Sequence, residues 1–273
     1  MAGKTLNLPL INQLFMKSFY KPLFLFGLFL SLHACAFSAD KYYYQLKIYH
    51  LKTQSQEDRL DNYLQNAYLP AMHRIGINQI GVFKPVDRDT AERRIYVLVP
   101  FNSWKQLEGS GDALASDQQY LASGKEYIDA PYGDIPYTRM ETIILRAFPK
   151  MPAPAVPGLT GNKTDRVYEL RSYESPTEKY NVNKVRMFNV GDEVALFKRL
   201  GFNAVFYAEV LAGSHMPNLM YMTTFNSRAD RDAHWNTFSN DPEWKALVAK
   251  PEYQHNVSKA DILFLHPTAY SDF

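Results

Sequence analysis

Thiol chemistry is almost absent from this chain: its 273 residues hold one cysteine, Cys35. An intramolecular disulfide is excluded, as is any site built on several thiolates, so stability has to come from a packed core. Nucleotide and hydrolase signatures are missing as well. There is no GxxxxGK[ST] phosphate loop, no GxGxxG turn, no GxSxG elbow and no EF-hand loop. The seven histidines, His33, His50, His73, His215, His234, His255 and His266, never fall at HxH, HxxxH or HExxH spacing. The sequence therefore shows no metal-ligand pattern and no cofactor motif. No apolar run reaches the roughly 20 residues of a membrane-crossing helix. Charge of one sign is not concentrated anywhere, which removes the electrostatic basis for nucleic-acid binding.

What is present begins with a leader. Lys17 and Lys21 precede an apolar core from Leu23 to Leu30, interrupted only by Gly27, and Ala34-Cys35-Ala36 supplies a small-x-small cleavage pattern. Residues 1–36 read as a signal peptide cut after Ala36. Leu32-His33-Ala34-Cys35 is also similar to a bacterial lipobox, in which Cys35 would become the lipidated first residue and the chain's one link to a membrane. Met16, just before the basic residues, offers a second start. The leader holds three lysines and no acid, so formal charge falls from +2 to −1 without it. The expected location is periplasmic or extracellular, either free or lipid-anchored.

The rest of the chain alternates between two periods. Tyr42 to Tyr49 alternates as a strand. Leu60, Tyr63, Leu64, Ala67, Tyr68, Ala71, Met72 and Ile75 form one helical stripe, with Pro70 expected to kink or divide it and Gly76 to end it. Strands are expected over 77–83, 94–99 and 141–147. Ser103-Trp104-Lys105-Gln106 is a capping box that starts a helix, with a break at Gly109 and Gly111 and a second piece over 117–127. Residues 149–163, with four prolines and two glycines, read as a linker. The order then recurs: a strand over 168–173, a long helix to Leu200 with Gly201 after it, strands over 202–210 and 219–225, a cap at Ser227, a helix start at Asp241-Pro242, and a last strand over 261–265. Tyr44 and Tyr168, Phe101 and Phe225, and Asp117 and Asp241 are each 124 positions apart. That offset, shifted by one at Gly76 and Gly201, runs from first strand to last helix and implies an internal duplication.

Each half, 42–148 and 165–266, is thus a β-α-β-β-α-β ferredoxin-like unit of an α+β protein, and two such sheets can close a barrel. Tyr168-Glu169-Leu170-Arg171-Ser172-Tyr173, Gly201-Phe202, Phe225-Asn226-Ser227 and Asp241-Pro242-Glu243-Trp244 together resemble the NIPSNAP family, most clearly over 167–265. The resemblance implies a dimeric α+β barrel fold. That superfamily includes cofactor-free monooxygenases, haem-handling enzymes and stress-responsive barrels. In the first half Gln45, Lys47 and Tyr120 stand where Glu169, Arg171 and Trp244 do in the second.

If Leu46 and Leu170 face the helices, then Glu169, Arg171, Tyr173, Gln45, Lys47 and Tyr49 point between the two sheets and form a polar ligand site there. The competing reading makes Glu169 and Arg171 a structural ion pair. Three functions follow: a barrel that binds a small organic ligand, a cofactor-independent oxygenase or isomerase in the same cavity, or an interaction module with a filled interior. The expected partners are a small organic ligand and a further copy of the chain. One expectation is testable without a structure: intact mass of the exported protein should place its first residue at Phe37 or at a lipidated Cys35, and a mass that retains residues 17–36 would refute the leader.

Overall fold

The structure, a computed structural model, describes residues 41–87 and 92–273. The leader, Cys35 and Met16 lie outside the described residues. The first half runs β1 (Tyr43–Leu51), α1 (Gln54–Tyr63), a π-helical stretch (Leu64–Tyr68), α2 (Leu69–Arg74), β2 (Gly81–Pro85), β3 (Arg93–Phe101), α3 (Trp104–Ala115), α4 (Gln118–Ser123), α5 (Lys125–Ile128) and β4 (Arg139–Ala147). The second runs β5 (Val167–Glu174), α6 (Glu178–Asn189), α7 (Glu193–Arg199), β6 (Asn203–Ala212), β7 (Asn218–Phe225), α8 (Arg228–Asn240), α9 (Pro242–Val248), a 3-10 turn (Pro251–Tyr253) and β8 (Lys259–Pro267).

The strands form a closed antiparallel barrel in the order β1-β3-β2-β8-β5-β7-β6-β4. Within each half this is the 4-1-3-2 order of a ferredoxin-like unit. Two seams join the halves: β2 with β8, where Phe83 faces Pro267, and β4 with β6, where Ala147 faces Ala208. Tyr44, Leu46, Phe83, Tyr168, Leu170 and Phe206 fill the barrel and are buried. Aromatic pairs cross between the halves there. Tyr44 meets Phe206 at 5.1 Å between ring centres, and Phe83 meets Tyr168 at 5.0 Å. A second apolar layer lies outside each sheet, under the helices: Leu60, Tyr63 and Met72 on Val97 and Val99 in one half, Phe188, Phe197 and Phe238 on Tyr207 and Tyr221 in the other.

Local chemistry explains where the elements depart from expectation. Pro70 leaves the helical stripe buried and unbroken. The turn before it widens into a π-helix instead, and the Leu69 N–H reaches the Leu64 carbonyl five residues back. The break expected at Gly109 and Gly111 does not occur, because α3 continues through both. A helical glycine costs about 1 kcal/mol, and the cap at its start opposes that. Ser103 Oγ accepts the Gln106 N–H at 3.2 Å, while Gln106 Oε1 accepts the Asn102 N–H at 2.9 Å. The long helix expected to reach Leu200 divides at Asp192, whose φ of 62° is left-handed. The strand expected from Ile77 starts only at Gly81, after Gln79 takes a φ of 65°. Residues 149–163 form neither helix nor strand. They lie against the second half, with the Ala155 N–H on Val205 O at 3.0 Å and the Gly161 N–H on Asn226 Oδ1 at 2.8 Å.

Gly76 and Gly201 end the α2 and α7 helices in the same way. Both have a φ of 78°, and the next residue's N–H turns back five positions, Ile77 to Met72 O at 2.9 Å and Phe202 to Phe197 O at 3.0 Å. An alanine at position 76 would meet nothing within 4 Å, whereas one at 201 would lie 3.3 Å from His234 Nε2. Gly76→Ala is therefore expected to cost about 1–2 kcal/mol from backbone strain alone, and Gly201→Ala more. Urea unfolding of the two variants beside the parent checks both the size and the order.

Candidate functional site

Closure of the barrel sets the direction of every side chain on β5. Leu170 and Tyr168 point into the barrel, so Glu169, Arg171 and Tyr173 point outward, toward the helices. This corrects the expected facing. With both faces of the sheet buried, apolar residues line each side, and alternation alone does not tell inside from outside. The same inversion holds on β1. Lys47 lies beside the Tyr68 phenol of the helix layer at 3.3 Å, and Tyr49 packs in that layer against Tyr137. Gln45 shares their face by alternation. The six residues therefore do not converge: Glu169, Arg171 and Tyr173 belong to the helix layer of one half, and Gln45, Lys47 and Tyr49 to that of the other.

Glu169 is fully buried and collects hydrogen bonds from three side chains. Arg171 donates through Nε at 2.8 Å and Nη2 at 2.6 Å, Arg231 through Nε at 3.0 Å and Nη2 at 2.8 Å, and Trp235 through Nε1 at 2.7 Å. Arg171 also stacks on the Trp235 ring, 3.6 Å from its centre. Arg231 and Trp235 sit four residues apart on α8, so one helix face supplies both. Burial alone would raise the Glu169 carboxyl; the Arg231 hydrogen bond and the Arg171 charge overcome it and hold it below the usual carboxylate range. The chain of contacts continues outward. Arg171 Nη1 donates to the Tyr173 hydroxyl at 2.9 Å, which shares a hydrogen bond with Tyr221 at 2.8 Å. Burial pushes the Tyr221 phenol well above its ordinary value.

Beyond Tyr173 the helix layer opens into a cavity of about 360 Å³ between β5, α6, α9 and residues 253–257. Tyr173, Lys184, Trp244, Tyr253, His255 and Asn256 are among the residues that line it. Lys184 is buried and donates to Glu193 at 2.9 Å, with its ammonium 4.7 Å from the centre of the Phe188 ring. Burial pushes the Glu193 carboxyl up, and Lys184 offsets only part of that. Asn256 is 3% exposed, and its Nδ2 donor has no hydrogen-bond partner. Sequence reasoning found Tyr173 but missed Lys184 and Asn256, because neither sits in a motif. The corresponding layer of the first half is packed with phenols: Tyr127 stacks on Tyr63 at 3.7 Å, and Tyr137 lies 5.9 Å from Tyr127.

The NIPSNAP family model matches residues 168–272. This half is a NIPSNAP domain. Its β5 contributes the Glu169 network, and its α9 and the loop before β8 close the cavity. Among solved structures, a candidate monooxygenase from Lactobacillus acidophilus aligns over 83% of this chain and 94% of its own, with 11% identity and a TM-score of 0.52. An anthrone oxidase-like protein aligns over 85% and 93%, with 12% identity and a TM-score of 0.51. A NIPSNAP family protein from Agrobacterium tumefaciens aligns over 44% of this chain and 98% of its own, with 19% identity and a TM-score of 0.35. At these identities the likenesses of the first two show the fold alone, an α+β barrel. None of the curated proteins compared matches the chain.

The Glu169 network predicts a stability signature. Glu169→Leu strands two guanidinium groups in a dry layer and is expected to cost about 3–5 kcal/mol in urea unfolding. Its depressed carboxyl also fixes the sign of a pH dependence. The contribution is complete above the unfolded pKa of about 4.3 and is lost as pH falls through the lower folded value. The parent should therefore lose stability below about pH 4.3, and Glu169→Leu should lose less over the same range.

Proposed function

We propose that this chain is an exported protein that binds a small organic ligand in the helix-side cavity of its NIPSNAP domain. The observation that carries the reading is the donor set on the cavity wall. Lys184 and the unpartnered Nδ2 of buried Asn256 both offer protons, while Trp244 and Tyr253 offer flat apolar surface. A buried donor without a partner is costly, by about 1–3 kcal/mol, and a ligand oxygen would relieve that cost. The matching ligand is a small aromatic or alicyclic molecule with a carbonyl or carboxylate. Tyr173 is a contact residue in this reading. Arg171 and Glu169 act through it, since Arg171 holds the Tyr173 hydroxyl in place.

A second reading, turnover of the same ligand, is favoured by one observation: His255 lines the cavity with the donors. A base beside carbonyl-polarising donors suits proton abstraction next to a carbonyl, the first step of a cofactor-independent oxygenation or isomerisation.

Thermal-shift measurements on the parent with benzoate, salicylate and 1-naphthoate test the binding reading. At least one should raise the melting temperature. Asn256→Leu should weaken that ligand by about tenfold, the value of one hydrogen bond to a charged group, with an unchanged circular-dichroism spectrum. A parent that responds to none of the three, and carries no small molecule in native mass spectrometry after purification from its own host, would overturn the proposal. Ligand loss or oxygen uptake with the bound ligand, abolished in His255→Ala, would establish turnover.

A further inference from the structure

The barrel has a mouth of its own, on the opposite side of β5 and β8 from the cavity just described. A space of about 480 Å³ lies between the two sheets, with Ile48, Tyr96, Ile143, Leu170 and Met220 on its walls and polar side chains at its rim. Three rim groups from separate parts of the sequence converge. Glu174 ends β5 on the barrel-facing side, two residues beyond Ser172, and Ser172 faces Asp261 across the β5–β8 ladder. His215 comes from the turn between β6 and β7, and its Nδ1 lies 3.0 Å from Glu174 Oε1. One donor atom from each of Glu174, His215 and Asp261 lies within 4.8 Å of the others.

One imidazole and two carboxylates suit a first-row divalent ion, whose bonds to such groups are about 2.0–2.2 Å. Bringing donors that now lie within 4.8 Å of one another to that distance needs side-chain movements of about an ångström, and His215 and Asp261 are exposed enough to make them. A second observation points the same way. Asn218 faces Glu174 across the β5–β7 ladder and lines the same space. It is 2% exposed; its Nδ2 donates to Ser172 Oγ at 2.8 Å, and its Oδ1 acceptor has no partner. A water on a bound cation would supply the missing proton to that oxygen. Lys259 completes the picture. Its ammonium lies 3.2 Å from Glu174 Oε1 and 2.9 Å from Asp261 Oδ2, and its side chain is about half exposed. It neutralises one of the two carboxylate charges and can swing into solvent.

We infer that Glu174, His215 and Asp261 form a divalent transition-metal site at the mouth of the barrel, with Lys259 as the resident cation that the metal displaces. Three protein ligands leave coordination positions open toward the space between the sheets, so an oxygen-bearing molecule there could join the ion. Spacing rules missed the site because its ligands are 41 and 46 residues apart and lie on three different segments.

Isothermal titration of the chelator-treated, tag-free mature chain with zinc chloride and manganese chloride at pH 7.5 tests the inference. Either metal should bind at one equivalent. His215→Ala and Asp261→Asn should each weaken it by at least about tenfold, and Lys259→Met should tighten it several-fold by removing the competing charge. All three variants change rim residues, so their metal-free melting temperatures should match the parent's. No binding to either the parent or Lys259→Met would overturn the site, as would binding that His215→Ala and Asp261→Asn leave unchanged. The helix-side cavity contributes none of these residues, so its ligand response and this one fail independently.

Discussion

Pairing at two seams governs this molecule. β2 meets β8 and β4 meets β6, and once both are made no strand of the barrel keeps an open edge. Closure converts one face of each sheet into a shared interior filled by Tyr44, Phe83, Tyr168 and Phe206. The opposite face is left for helices to cover. Side chains along the middle of the strands are therefore assigned to one of two dry layers, and the buried charged groups there sit where a network satisfies them or where a layer opens. The Glu169 cluster is the first case; the helix-side cavity and the barrel mouth are the second.

Much of the architecture was legible in the residues. The strands near Tyr44 and Tyr168, the glycine stops at 76 and 201, the caps at Ser103, Ser227 and Asp241, and the barrel-closing arrangement follow from periodicity and turn chemistry. These signals are local, and their physics acts over a few residues. What was not legible depends on the third dimension. A strand such as Tyr44 to Tyr49 places Tyr44, Leu46 and Ile48 on one side and Gln45, Lys47 and Tyr49 on the other, each at least partly buried, and only the partner across each seam decides which side is interior. The facing of Glu169, Arg171 and Tyr173 was read the wrong way round for that reason. Pro70 shows a smaller version of the same limit. Its cost was legible, but the widening of the preceding turn that absorbs it was not.

The candidate sites divide along the same line. Glu169 and Arg171 stood out because charged residues in a strand are conspicuous. The structure shows that their charges are spent on each other, on Arg231 and on Trp235. Lys184, Asn256, Glu174, His215 and Asp261 look ordinary in sequence, and become chemically interesting only when folding leaves a donor or acceptor unmatched or brings ligands together. An isolated residue's chemistry announces itself early, while an unsatisfied one can be found only after every neighbour is placed.

The two halves of this barrel are covalently one chain, and that changes what variation can do. In a barrel closed by two identical subunits, any substitution falls on both sheets at once, and a cavity opened in one is opened in the other. Here the two sheets are encoded separately. The first half's helix layer is packed with Tyr63, Tyr127 and Tyr137, while the second keeps Lys184 and Asn256 around open space. One sheet is thereby free to serve as scaffold and the other to explore chemistry, and a loss of stability in the second can be offset by packing in the first.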